Sequence, residues 1–170
     1  MSIRLKIVLI VVPLMVATLL LTGISSYFSA TNGITRVTKE FLGVKADGLA
    51  NQTQSQWGLL VENNLAGKPE MVAAAQAAVE GYARSILRSA TELIMALDGS
   101  GKVVMSTGPV EILPAENSAL MALIAARSNE LTTLRIGGTE RVAKGFWFDP
   151  FGWYLMVTEA RSSFYSQVSE

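Results

Sequence analysis

The sequence predicts an α+β fold: an N-terminal transmembrane helix, a long stalk helix, then a five-stranded antiparallel sheet flanked by helices. Three observations carry that prediction. An uncharged apolar run opens the chain, a sparse apolar stripe at helical spacing follows it, and the second half alternates short apolar runs with Gly- and Pro-containing turns.

The run IVLIVVPLMVATLLL begins at Ile7, and no charged side chain occurs from Ile7 to Thr35. A spanning helix needs about 20 residues, and extension to Tyr27 and Phe28 supplies the length and an aromatic pair for the interface, giving a span over 7–28. Pro13 is compatible with a membrane helix, where neighbouring groups satisfy the freed carbonyl. The competing reading is a cleaved signal peptide with Arg4 and Lys6 as its charged start, although no A-x-A site follows. Both readings export the rest. Charge bias leaves orientation open, because Arg36, Lys39 and Lys45 oppose Arg4 and Lys6.

Beyond the span, Ile34, Val37, Phe41 and Val44 fall on one narrow helical stripe suited to a paired stalk, that is, a homodimer. The pattern loosens at Gly43 and Gly48 and resumes with Trp57, Leu60, Val61 and Leu65, which predicts a long helix ending near Ala66–Gly67. Its later part is expected to pack on its own domain. Pro69 sits where a first-turn proline belongs, and the alanine-rich segment after it predicts a second helix to about Arg88. ELIMALDGSGKVVMST reads as a hairpin with strands over 92–97 and 102–107. Pro114 opens a short helix with Leu120, Leu123 and Ile124 on one face. LTTLRI, RVAKGFWF and WYLMVTE, separated by Gly137-Gly138-Thr139 and by Asp149-Pro150-Phe151-Gly152, predict three further strands.

Composition excludes much. With 14 basic and 14 acidic residues there is no net field to attract nucleic acid, so no nucleic-acid partner is expected. Histidine and cysteine are absent, which removes the commonest general base, the commonest metal ligands, thiol nucleophiles and disulfides. No cofactor, no metal site and no enzyme activity are expected. Gly99-Ser100-Gly101-Lys102 lacks the earlier glycine and the following Ser or Thr of a phosphate loop, where Ala96 and Val103 stand, and reads as a turn. Asn51-Gln52-Thr53 is a chance match to a glycosylation acceptor. Glu111 and Glu116 are expected to flank a loop and a helix start.

A binding site needs a concave surface with a few polar groups among aromatics. Arg135 and Arg141 flank the Gly137-Gly138 turn and are candidates to grip a carboxylate. Each taken singly also reads as a solvated strand-end arginine. Alternation puts Arg141, Ala143, Gly145 and Trp147 on one face and Val142, Lys144, Phe146 and Phe148 on the other. The first set is the candidate pocket floor, with small residues leaving room between an arginine and a tryptophan, although Trp147 also fits plain core. Tyr154, alternating with Trp153, is a candidate to add a hydroxyl.

The element order resembles the single Cache family of PAS-like extracytoplasmic sensor domains. Leu97-Asp98-Gly99-Ser100-Gly101-Lys102-Val103-Val104 is similar to that family's first hairpin, and Pro150-Phe151-Gly152-Trp153-Tyr154-Leu155-Met156-Val157 to its last strand. The resemblance covers about 29–165. It implies a bacterial receptor of chemoreceptor, histidine kinase or cyclase type, with 1–6 cytoplasmic, 7–28 in the inner membrane and 29–170 outside. It divides the outer part into a stalk and long helix over 29–66, a sensor domain over 67–158 and an exit helix over 159–170. It also implies a fragment whose parent returns through a second membrane helix, with a naturally short single-pass protein as the alternative. A small-molecule ligand is the expected partner, and a scaffold that binds a protein is the alternative.

Overall fold

The computed structural model describes residues 3–166, with side chains described for 12–24 and 40–164. Contacts divide the chain into two compact units, Met1–Val37 and Thr38–Glu170. Helix α1 is Ile3–Glu62. In the first unit, the described apolar side chains from Val12 to Ile24 are exposed, and the Thr18 and Thr22 hydroxyls return to helix carbonyls at Leu14, Met15 and Thr18. Among the described residues no helix is long and apolar enough to cross a membrane. Residues 7–11 and 25–28 of the sequence-predicted span lie outside the described side chains, as do Ile34 and Val37 of the stripe.

In the second unit α1 turns an apolar face, Leu42, Ala46 and Leu49, into the core. It ends where Asn64 adopts a left-handed φ of 57°. Leu65 N–H bonds Leu60 C=O at 2.7 Å and Asn64 N–H bonds Val61 C=O at 3.1 Å, the paired closure that satisfies the last carbonyls of a helix. Helix α2, Pro69–Ser85, follows with proline at its start and Arg84 in its last turn. Arg84 donates to the carbonyls of Thr107 and Ser106, fixing the helix end to a strand. The helix therefore stops short of Arg88, whose N–H is taken by the Glu92 carboxylate at 2.6 Å.

Strands β1 (Glu92–Asp98), β2 (Val103–Ser106), β3 (Thr132–Ile136), β4 (Thr139–Phe148) and β5 (Trp153–Ala160) form one sheet in the order β2-β1-β5-β4-β3. All four pairings are antiparallel. Helix α3 (Asn117–Ala126) joins β2 to β3, and α4 (Arg161–Ser166) follows β5. The β1–β2 turn is tied by Asp98, whose Oδ1 accepts from Ser100 N, Ser100 Oγ and Lys102 N within 3.0 Å.

The sheet separates two apolar layers. On one face Ile94, Ala96, Val142, Phe148, Trp153, Leu155 and Val157 pack with Leu42 and Leu49 of α1 and Val79 and Ala83 of α2. On the other, Leu93, Met95, Leu97, Leu134, Ala143, Tyr154 and Met156 pack with Leu120 and Ile124 of α3. Strand β5 is buried along its whole length because both faces are covered and both edges are paired. Phe151 meets Trp57, Phe148 and Trp153 edge-on at 5.0 to 6.1 Å between ring centres, so the later part of α1 packs on its own domain. Phe41 and Val44, by contrast, are 45% and 68% exposed.

Candidate functional site

The face of the sheet that packs against α3 carries three of the sequence-predicted site residues, Arg141, Trp147 and Tyr154. Arg141 stands near the start of β4 opposite Ala160 of β5 and Leu134 of β3. Its Nη1 donates to Thr91 C=O at 2.8 Å and to Thr158 Oγ1 at 3.2 Å, and Thr158 Oγ1 in turn donates to Leu93 C=O at 2.8 Å. The Arg141 Nε is buried without a hydrogen-bond partner. Burial lowers the Arg141 pKa, and the nearby negative charge of Glu159 opposes that shift. The guanidinium is thus held through one nitrogen, with a buried N–H left unpartnered on its other edge.

Arg135 does not converge with Arg141. The two-residue turn pairs Arg135 with Glu140 and Leu134 with Arg141, so the two arginines leave opposite faces of the hairpin. Arg135 is exposed, and its charge acts instead on Glu116. Trp147 is half-buried on the Arg141 face, donating its indole N–H to Asp149 Oδ1 at 2.8 Å. The Arg127 guanidinium lies 5.3 Å from the Trp147 ring and pairs with Asp149 at 3.1 Å.

Tyr154 is 2% exposed and donates its hydroxyl to Ser128 C=O at 2.7 Å. Burial pushes its phenol pKa up to about 12. Its ring lies against Gly145: a Cβ there would stand 2.8 Å from Tyr154 Cζ and Oη and 2.7 Å from the Leu155 carbonyl oxygen. The space that small residues leave over β4 is thus filled at Gly145 by the diagonal tyrosine, an aromatic ring covering a strand glycine.

Glu116, which sequence reasoning placed at a helix start without giving it a partner, has three. It is 6% exposed. Its carboxylate accepts the N–H groups of Leu113, Gly137 and Gly138 at 3.1, 2.9 and 2.7 Å. Gly137 and Gly138 both have positive φ, 59° and 76°, which turns their successive N–H groups toward one acceptor. Glu116 therefore ties the start of α3 to the β3–β4 turn. Desolvation raises its pKa, but the N–H donors of Gly138, Leu113 and Gly137 and the charge of Arg135 outweigh it, and the net shift is down. A carboxylate with a depressed folded pKa contributes stability that is present above its unfolded value and lost as pH falls through the folded one. Glu116→Gln is expected to destabilise the chain by about 1.5–3 kcal/mol at pH 7. The difference from wild type should shrink at acid pH in urea unfolding, and a pH-independent difference would contradict this role.

No family model matches the chain, and no curated protein matches it. Among solved structures, the chain is similar to a Cache chemosensory domain described for carboxylic acid recognition. The two share 13% identity and a TM-score of 0.56 over 76% of this chain and 97% of that one. It is also similar to the periplasmic sensor domain of a chemotaxis protein, at 11% identity and a TM-score of 0.56, over 72% of this chain and 94% of that one. Five antiparallel strands in one sheet, helices on both faces and these likenesses together give the chain the fold of a single Cache sensor domain.

Proposed function

We propose that this chain is the extracytoplasmic small-molecule sensing input of a membrane signal-transduction receptor, a binding module and not an enzyme, and that its ligand is a carboxylate. The observation that carries the reading is Arg141, held by Thr91 and Thr158 under α3 with a buried, unpartnered Nε. The fold likeness to a domain described for carboxylic acid recognition supports it. Trp147 and Tyr154 stand on the same face of the sheet but pair with each other six residues further along β4, so they lie away from the guanidinium. Arg135 lies on the other face of the hairpin and is left out of the contact.

Anchoring rests on the uncharged apolar run over 7–28, which inserts as a helix, and the resemblance to extracytoplasmic sensor domains supports the orientation, with 1–6 in the cytoplasm and 29–170 outside the inner membrane. Homodimer formation through the stalk is supported by the exposure of Phe41 and Val44 on the sequence stripe. In this reading the ligand biases how two copies of the helix pack, with a coupling of about 1–3 kcal/mol. A second reading, an anchored extracytoplasmic scaffold for a protein partner, is favoured by one observation, the Tyr154 ring that fills the space over Gly145.

The test uses the full chain in nanodiscs, with a single cysteine replacing Phe41. A panel of small carboxylic acids is expected to contain members that raise the melting temperature and change the disulfide yield between copies. A flat response to every acid in both readouts would favour the scaffold.

A further inference from the structure

The turn that feeds β1, residues 89–92, is gripped by cations from opposite faces of the sheet. Beneath α3, Arg141 Nη1 donates to the Thr91 carbonyl at 2.8 Å. Beneath α1, Lys45 Nζ donates to Glu92 Oε1 at 2.5 Å, and the two side chains are only 8% and 5% exposed. One hydroxyl lies between these grips. Ser89 Oγ is 3.0 Å from Thr91 Oγ1, accepts the Glu92 N–H at 3.2 Å and donates to Glu159 Oε2 at 2.9 Å. The second Glu92 oxygen is occupied by Arg88 N–H at 2.6 Å.

We propose that this turn is a junction that couples what Arg141 holds to how firmly Lys45 holds α1 against the sheet. The proposal rests on Arg141 as the carboxylate contact and assigns that site its route to the helix. A buried hydrogen-bonding group left without a partner is costly. If a ligand draws Arg141 away from Thr91, the Thr91 carbonyl must therefore turn toward another donor. The Thr91 hydroxyl moves with it. Ser89 serves three partners, so it cannot follow Thr91 without loosening Glu92 or Glu159. Glu92 in turn positions the carboxylate oxygen that Lys45 holds. Lys45 Nζ also sits 4.6 Å from the centre of the Phe41 ring, so a change in its hold reaches the exposed aromatic of α1. The bland alternative is a pair of independent staples on one turn, and the two differ in a measurable way. Separate staples lose stability additively, whereas groups in one network do not.

The experiment is a mutant cycle on the full chain in detergent micelles, read by urea unfolding with tryptophan fluorescence. Lys45→Met, Arg141→Met and their double variant are compared with wild type, then all four are repeated in a Ser89→Ala background. The unfolding constant of the double variant is expected to depart from the product of the single effects by at least about threefold, and in the Ser89→Ala background by less than about twofold. Additive effects in the parent background would overturn the proposal, and so would a coupling that survives Ser89→Ala. Should Lys45→Met not fold, amide exchange in Arg141→Lys decides the matter. Faster exchange over 42–49 supports the junction, and unchanged exchange there overturns it. No ligand enters the cycle, so its outcome is independent of whether carboxylates bind; failure of every acid to bind would count against the reading of Arg141 alone.

Discussion

Replacing Lys45 with alanine is expected to lower the unfolding free energy by about 3–5 kcal/mol, among the largest effects of any single change outside the apolar core. The cause is what remains after the lysine is gone. Glu92 is 5% exposed at its side chain, and its Oε1 would keep a charge in a low-dielectric site without a counterion. The pair itself contributes far less than this loss, because bringing both ions out of water offsets most of their attraction. Lys45→Met combined with Glu92→Gln should therefore recover more than half of the loss, since glutamine still accepts the Arg88 N–H and no charge is left buried. Urea unfolding of the single and double variants checks both statements. A loss for Lys45→Ala below about 1 kcal/mol would place the pair with solvated surface bridges and contradict the burial on which the account depends.

Tyr154→Ala is expected to cost about 3–5 kcal/mol, the range for removing a buried aromatic side chain. Its ring is the cover over Gly145 and its hydroxyl the donor to Ser128 at the end of α3. Tyr154→Phe keeps the ring and removes only that donor, so it should cost about 1 kcal/mol. Gly145→Ala meets a backbone oxygen, Leu155 O at 2.7 Å, as well as the ring, and is expected to cost about 1–3 kcal/mol by overpacking. In Tyr154→Ala the added methyl has one obstacle fewer, so the double variant should lose less than the sum of the two singles. Additive losses would mean that the ring and the glycine are not in contact.

Much of this was legible in the chain. Period-two alternation placed Val142, Phe146 and Phe148 against the α1–α2 layer and Ala143 and Trp147 on the other face, because β4 is packed on both sides and its successive residues meet different helix layers. The hairpin at Asp98 was readable because an Asp with Ser two residues later closes a turn by local bonds alone. Even the parity of Arg135 and Arg141 was available: a two-residue turn at Gly137-Gly138 pairs 135 with 140 and 134 with 141, which separates the arginines. Nearness in sequence across a tight turn does not place two side chains on one face.

The remaining features depend on contacts that no local pattern encodes. Glu116 binds N–H groups 21 and 22 residues away, and Lys45 reaches Glu92 across 47 residues. Helix α3 begins at Asn117 rather than at Pro114. Glu116, at the cap position, turns its carboxylate back to Leu113 and out to the β3–β4 turn, with no side-chain cap bond to the helix. The room expected over β4 was read from the small residues Ala143 and Gly145, but volume at a strand glycine is set by its diagonal neighbour, and that neighbour is Tyr154. The apolar stripe of the stalk is described at Phe41 and Val44, where both side chains face outward.

The most direct test of the central claim is calorimetric titration of small carboxylic acids into the full chain in nanodiscs, for wild type and for Arg141→Gln. A guanidinium–carboxylate contact with charge-assisted hydrogen bonds is worth about 1.5–3 kcal/mol. At least one acid should therefore bind wild type, and its affinity should fall by about 10- to 150-fold in Arg141→Gln while the variant remains folded. Equal affinity in the two proteins, or no binding by any acid to wild type, would contradict the assignment of Arg141 as the carboxylate contact of a sensor.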